Sequence, residues 1–329
     1  MRRVLLLFLD GVGAGEADAA VNPFLVARLP HLATLLDGAL PLAGVRASFG
    51  NASLAPLDAT LGVPGLPQSG TGQTALFTGL NAAALHGRHH GPWVPVSLRA
   101  RLGEQSVLAR AVAAGCDVAF ANAYPEEAIT GAEGPRLSAR AGRGALPPGG
   151  SARAQHFQRA GPLFLRAAPP LAARAAGLLT RHTPELERGD AVASEIVNEV
   201  WRERLGRTSL PHVSAAGAGA NLARIAAAHD LTVFAHYSTD AAGHLGSMDQ
   251  AIASLELVDE FLGGLLAASP PELLTLVVSD HGNIEDVRCG HTRHPALGLV
   301  IGQGHAGIAP RLHAITDVVP AIAAWLRLG

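Results

Sequence analysis

The amino-acid sequence predicts an α/β protein with a central, mostly parallel sheet, helices on both faces and a small inserted cap. Three observations carry this. Five short apolar runs lack clean alternation, as expected of strands covered on both faces: Val4–Leu9, Val118–Ala121, Thr232–Ala235, Leu273–Val278 and Leu297–Ile301. Helical segments separate the runs, which is the layering of an α/β sheet. Asp10, Asp240 and Asp280 each fall just past the carboxyl end of a predicted strand, at the edge where open α/β sheets bind ligands.

The first strand, Val4–Leu9, runs into Asp10 within LFLDGVG. Thr71–Thr78 can start a helix, with Ser69 just before it in PQSGTGQTA. Gln105–Ala114 is expected to be helical and leads to the Val118 strand. Ala218–His229 leads in the same way to the Thr232 strand. In Met248–Leu266, Ile252, Leu255, Val258 and Leu262 recur at helical spacing before the Leu273 strand. Residues 125–211 read differently. They hold Gly-, Pro- and Arg-rich pieces (GAEGPRLSARAGRGALPPGGSARA), then PPLAARAAGLLT, then an expected helix at Asp190–Arg204. This stretch is expected to be an insertion, a small cap over the sheet edge, whose first third is a mobile loop. Residues 1–124 and 212–329 would form the core.

Composition bounds the function. The chain has 329 residues, 48% hydrophobic and 16% charged, with a net charge of −2, so it can bury a large core. It contains no Lys, which excludes a Schiff-base lysine and a GxxxxGK[ST] phosphate loop. The near-neutral balance gives no electrostatic footprint for nucleic acid. Cys116 and Cys289 do not make a disulfide framework. The N-terminal MRRVLLLFLDG looks like a signal peptide only briefly. Its apolar run stops at Asp10, short of the ~7–15 residues of a secretory segment. No stretch is long and apolar enough for a membrane helix. A soluble cytoplasmic protein with no nucleic-acid or membrane partner is the expectation; the oligomeric state is left open.

Four motifs supply ligands for two metal ions: Asp10 in LFLDGVG, Asp240 and His244 in STDAAGH, Asp280 and His281 in VVSDHGN, and His291 in CGHT. Carboxylates and imidazoles hold hard or borderline divalent cations such as Mn or Zn. Ser69 adds a hydroxyl, which needs such ions because free serine is a poor nucleophile at neutral pH. The set suits phosphoryl or sulfuryl transfer at ions ~3.5–4 Å apart. Each motif alone has an ordinary reading. Asp10-Gly11 is a turn, Asp240 is a helix N-cap, and Ser69 is an N-cap too. Asp240 and His244 are one helical turn apart, so both can face one ion. Thr71 and Thr74 are competing hydroxyls. Gln68, Arg88, His89, His90, Arg293 and His294 are candidate substrate contacts, Arg for its bidentate fork towards phosphate. Cys289, two residues before His291, lacks a CxxC partner.

Taken together these residues resemble the alkaline phosphatase-like superfamily, closest to its cofactor-independent phosphoglycerate mutases and phosphopentomutases. DHGNIE looks like that branch's DHGNxE. GHLGSMDQAI and LELVDEFLG resemble its GHTG segment and following helix, and CGHTRHP is similar to xHTxxP. QSGTGQ falls where the mutases carry a nucleophilic serine within NSxxGH. The resemblance covers residues 1–90 and 215–329 and the 105–121 unit. It implies an alkaline phosphatase-like core, with Asp10, Ser69, Asp280 and His281 around one metal and Asp240, His244 and His291 around another. It also implies that Ser69 attacks phosphorus to form a phosphoserine. The chain departs from the mutases at Gly70 and Gln73, where they have an acid and a histidine. It also lacks their large, Lys-bearing inserted domain. The expectation is a metal-dependent phosphohydrolase or phosphotransferase acting on a small phosphorylated substrate. The alternatives are a phosphosugar mutase and a non-catalytic metal-binding module.

Overall fold

The computed structural model describes residues 2–130 and 165–328; of the loop expected in the first third of the insertion, Glu126–Thr130 is helical and the part from residue 131 on lies outside the described residues. The chain forms a seven-stranded sheet in the order β2-β3-β7-β6-β1-β5-β4. The strands are β1 (Arg3–Leu9), β2 (Ala47–Ser48), β3 (Ala52–Leu54), β4 (Val118–Phe120), β5 (Leu231–His236), β6 (Leu273–Val278) and β7 (Gly298–Ile301). All five apolar runs are strands.

Side chains of β1 alternate between two apolar faces, which is why the run shows no polar alternation. Val4, Leu6 and Phe8 enter one core with Phe77, Leu98, Leu102 and Ile322. Leu5, Leu7 and Leu9 enter the other with Leu222, Leu255, Phe261 and Leu262. Helices therefore cover both faces. The Ser69–Thr78 helix is buried along all ten residues, with Phe77 edge-on to Phe8 at 6.0 Å. On the opposite face lie the helices Ala215–Ala228 and Met248–Ala268.

The sheet is parallel at its centre and antiparallel at one edge. β1 pairs in parallel with β5 and β6, and β4 with β5, whereas β7 is antiparallel to β6 and β3, and β3 to β2. No helix carries the chain from β6 back across the sheet, so β7 starts at the end where β6 stops, and an antiparallel neighbour needs no crossover. The edge strands β2 and β3 are too short to give a sequence pattern.

Two expected helices differ. Ser106 breaks the Gln105–Ala114 segment: one helix ends at Gln105, and Ser106 caps the next, Val107–Ala113, by accepting from the Ala109 amide at 3.2 Å. At Asp190–Arg204 only Glu199–Glu203 is helical. Val192 instead lies beside β4, its amide donating to Ala121 O and its carbonyl accepting from the Ala123 amide, so it has nothing left for a helix. Ile196 then takes φ +74°, a rare conformation for a β-branched residue. The Ala168–Ala175 helix, within the expected insertion, packs Ala168, Ala172 and Ala173 into the same core as Leu98 and Leu102.

Candidate metal centre

Strand register brings the acids together. Leu9 of β1 stands beside His236 of β5, and Phe8 beside Val278 of β6. Asp10 therefore leaves the sheet at the level where β5 hands over to the Ser238–His244 helix and β6 to Asp280. Adjacent strands are about 4.8 Å apart, so the three exits form one pocket edge. Gly11 makes the close approach possible. Its φ is +66°, and a Cβ there would lie 2.5 Å from Asp240 Oδ1.

The first candidate ligand group is Asp10, Asp280 and His281, all buried. His281 Nδ1 lies 3.3 Å from Gly282 O, so a proton there leaves the Nε2 lone pair facing inward. Nε2 sits 3.5 Å from Asp10 Oδ1 and 3.4 Å from Asp280 Oδ2. Ser69 Oγ is 3.0 Å from the same nitrogen. Ser69 is the first residue of its helix rather than the cap; Gln68 holds the capping position in extended conformation. The hydroxyl is thus aimed at the acids and not at the helix backbone.

The second group is Asp240, His244 and His291. Asp240 and His244 share one turn of the Ser238–His244 helix, with His244 Nε2 3.4 Å from Asp240 Oδ2. His291 Nε2 is 3.6 Å from Asp240 Oδ1 and 3.1 Å from His244 Nε2. His291 Nδ1 lies 2.8 Å from Pro67 O, which directs the Nε2 lone pair at the group. The His281 and His291 rings stack at 3.9 Å, so the two groups are neighbours. The His244 side chain is 51% exposed, which makes the second group the one open to solvent. Cys289 belongs to neither group.

The donor set fits divalent cations. Asp10 Oδ1 and Asp280 Oδ2 are buried without a hydrogen-bond donor, a costly state that a cation between them relieves. Burial, then the charges of Asp280 and Asp240, push the Asp10 carboxyl well above the usual carboxylate range. Burial also raises Asp280, with Asp240 adding to it. Burial would raise Asp240 too, but hydrogen bonds from His244 and His291 hold it well below. Burial lowers His281, leaving a neutral imidazole suited to a metal.

The signs give a pH prediction. A carboxyl raised in the folded state stabilises the fold fully below its unfolded pKa, and that contribution is lost as pH rises through the folded value. The chelated protein should therefore lose thermal stability as pH rises above the usual carboxylate range. Asp10→Asn should flatten that slope, and added Mn²⁺ should remove it. An equal slope in chelated wild type and Asp10→Asn, by scanning calorimetry from pH 5 to 8, would refute the assignment.

Three residues that brace the candidate ligands, Glu285, Asn283 and Gln73, carried no site assignment in the sequence. Glu285, fully buried, accepts from the amides of Gly13 and Asn283, each at 2.8 Å, and from the Thr292 hydroxyl. His294 Nδ1 lies 3.2 Å from the same carboxylate. Glu285 thereby ties the Asp10 turn to the loop carrying Asp280, His281 and His291. Asn283 donates to Asp240 Oδ1 at 2.6 Å. Gln73 donates to Asp10 Oδ2 at 3.0 Å. Their signal was the DHGNIE and QSGTGQ runs themselves, whose remaining polar residues surround the ligands.

The candidate substrate contacts are more dispersed. Gln68 is half-buried beside Gly91. His89 Nε2 lies 3.2 Å from Val63 O. His90 clasps the helix start, its carbonyl accepting from the Thr71 amide at 2.9 Å. Arg88 and Arg293 are exposed and make no ion pair with the described residues. His294 is committed to Glu285, which raises its pKa.

Residues 206–325 match the family model described as Metalloenzyme superfamily. That segment, little more than a third of the chain, resembles this superfamily, and part of the chain is similar to cofactor-independent phosphoglycerate mutases. It is 34% identical over 108 residues to the 2,3-bisphosphoglycerate-independent phosphoglycerate mutase of Desulforudis audaxviator (strain MP104C), covering 30% of this chain and 21% of that one. With the enzyme of the same name from Paracoccus denitrificans (strain Pd 1222) it shares 34% identity over 122 residues, 34% of this chain and 24% of the relative. The chain thus spans about a fifth to a quarter of the length of these curated relatives. A solved Pyrococcus horikoshii protein aligns over 100% of this chain and 97% of its own, with a TM-score of 0.54 and 14% identity, a likeness of fold.

Proposed function

We propose that the protein is a two-metal phosphohydrolase or phosphotransferase that acts on a small phosphate ester through a phosphoserine at Ser69. The observation that carries this reading is the Ser69 hydroxyl, buried at a helix start and 3.0 Å from His281 Nε2 among two unpartnered carboxylate oxygens. Asp10, Asp280 and His281 would hold one ion, Mn or Zn, and Asp240, His244 and His291 the other. When bound, the ions acidify the serine hydroxyl and neutralise charge on the transferred group. Ser69 Oγ then forms a bond to phosphorus, the ester oxygen leaves and takes up a proton, and the acceptor (water, in a hydrolase) later cleaves the Oγ–P bond. The amides of Ser69 and Gly70 open the helix with no intrahelical acceptor, so they can donate to the phosphoryl oxygens. Thr71 and Thr74 are poorer candidates. Thr71 Oγ1 lies against Gln68 O and His90 O, and Thr74 Oγ1 donates to Gly70 O at 2.6 Å. Gln68, Arg88, His89 and Arg293 remain the proposed substrate contacts.

The division into a core (1–124 and 212–329) and a cap (125–211) is part of the same proposal. So is a cytoplasmic location, supported by two free cysteines. No helix among the described residues is long and apolar enough to cross a membrane.

The names of the curated relatives favour a second reading, a phosphosugar or phosphoglycerate mutase, in which the phosphoserine outlives substrate exchange. One experiment separates the readings: metal content and product analysis with phosphosugars, phosphoglycerates and aryl phosphates in Mn²⁺ or Zn²⁺. About two metals per chain with inorganic phosphate release is the expected result. Isomerised substrate without free phosphate would make it a mutase. Two metals with neither product would leave a metal-binding module.

A further inference from the structure

We infer that Gln73 is a positioning residue that sets which Asp10 oxygen faces the metal and couples that oxygen to the Ala168–Ala175 helix. Gln73 lies one helical turn beyond Ser69, on the same face of the helix. It is 1% exposed, and both ends of its amide are used. Nε2 donates to Asp10 Oδ2 at 3.0 Å, and Oε1 accepts from the Ala168 amide at 3.3 Å. Ala168 opens the Ala168–Ala175 helix, so its N–H has no partner within that helix.

The orientation of the amide is determined by its partners. Flipped, Gln73 would set its NH₂ against the Ala168 N–H and its oxygen against a carboxylate. Only a neutral side chain carrying one donor and one acceptor at that reach satisfies both neighbours. Glutamate would keep the Ala168 contact and place a fourth carboxyl beside Asp10, Asp240 and Asp280. Histidine could donate to Asp10 but not also accept from Ala168 through the same ring edge. The helix itself cannot slide, because a Cβ on Gly72 would already lie 2.9 Å from Asp280 O. With Oδ2 held by Gln73, Asp10 turns only Oδ1 towards His281 and Asp280, as a one-oxygen ligand. Displacement of the Ala168–Ala175 helix would pull on the same amide, so that helix acts on the metal group through Gln73.

This inference rests on the reading of Asp10 as a ligand. The test uses chelated wild-type protein and the variants Gln73→Met, Gln73→His and Gln73→Glu, titrated with Mn²⁺ by calorimetry. Hydrogen exchange of the peptide spanning residues 165–175 is followed in parallel. Gln73→Met should weaken one of the two Mn²⁺ sites by about 10–100-fold, the usual loss when a residue that orients a ligand is removed, and leave the other unchanged. Its 165–175 peptide should exchange faster. Gln73→His should recover much of the Mn²⁺ affinity but not the exchange protection, a split that general destabilisation does not produce. Gln73→Glu should do the reverse, keeping the protection and losing Mn²⁺ affinity. A Gln73→Met protein that binds both ions as wild type does, with unchanged exchange, would overturn the inference. Wild-type protein that takes up no Mn²⁺ would instead overturn the ligand reading beneath it.

Discussion

Replacing Ser69 by alanine is expected to cut phosphate release by about 10³-fold or more while leaving metal content at its wild-type level. The two halves of that outcome depend on different atoms. Turnover would depend on Oγ, the only hydroxyl among the described residues that lies 3.0 Å from His281 Nε2 inside the acidic group. Metal uptake depends on Asp10, Asp280 and His281, which stay in place because Glu285, Gln73 and the backbone hold them. Thr71 and Thr74 cannot substitute without breaking their bonds to backbone carbonyls. Activity within about tenfold of wild type would remove Ser69 as the obligatory nucleophile. A matching loss of metal would show that its oxygen is chiefly a ligand.

The second large effect is expected of Asp280→Asn, with opposite signs in two measurements. Metal content by elemental analysis should fall by about one ion per chain, and turnover by at least about 100-fold. The chelated variant, however, should be more stable than chelated wild type at neutral pH. Asp280 is fully buried, and its Oδ2 has no hydrogen-bond donor. Burial raises its pKa, so its charge opposes folding once ionised, and asparagine removes that charge at nearly constant volume. Oδ1 keeps its weak bond from the Gly11 amide, at 3.3 Å, in either residue. A purely structural aspartate would behave otherwise, since its loss would lower the stability of the chelated protein. Full metal occupancy in the variant would sink the ligand assignment.

Much of the site was legible because its chemistry is carried by rare residue types at strand ends. The unalternating runs Val4–Leu9 and Leu273–Val278 identified buried strands, and the acids just after them marked one edge of the sheet. The Asp240–His244 spacing needed only the helical period. What was missed depends on partners distant in sequence. Asp190–Arg204 has helical composition, but Val192 is drawn into pairing beside β4 by backbone groups near residue 122, which no local pattern reports. The antiparallel β7 shows the same limit, because an apolar run does not encode its direction. Glu285 has the composition of an ordinary acid after a strand, and only the fold delivers the donors from Gly13, Asn283 and Thr292 that make it a brace.

The sequence by itself indicated the layered α/β architecture, the seven candidate metal-site residues and, through family resemblance, their proposed partition into two ligand groups. Periodicity, strand-end position and residue chemistry are local or compositional properties, so one chain suffices to read them. The tertiary structure decided the pairing of Leu9 with His236 and Phe8 with Val278, the inward aim of Ser69, and the grip of Gln73 on Asp10. These depend on register and on hydrogen-bond geometry between segments distant in sequence, such as the Gly11–Asp280 contact across 269 residues. Such geometry exists only once the core has closed and excluded water from the carboxylates, which is also what makes their charges costly and a cation welcome.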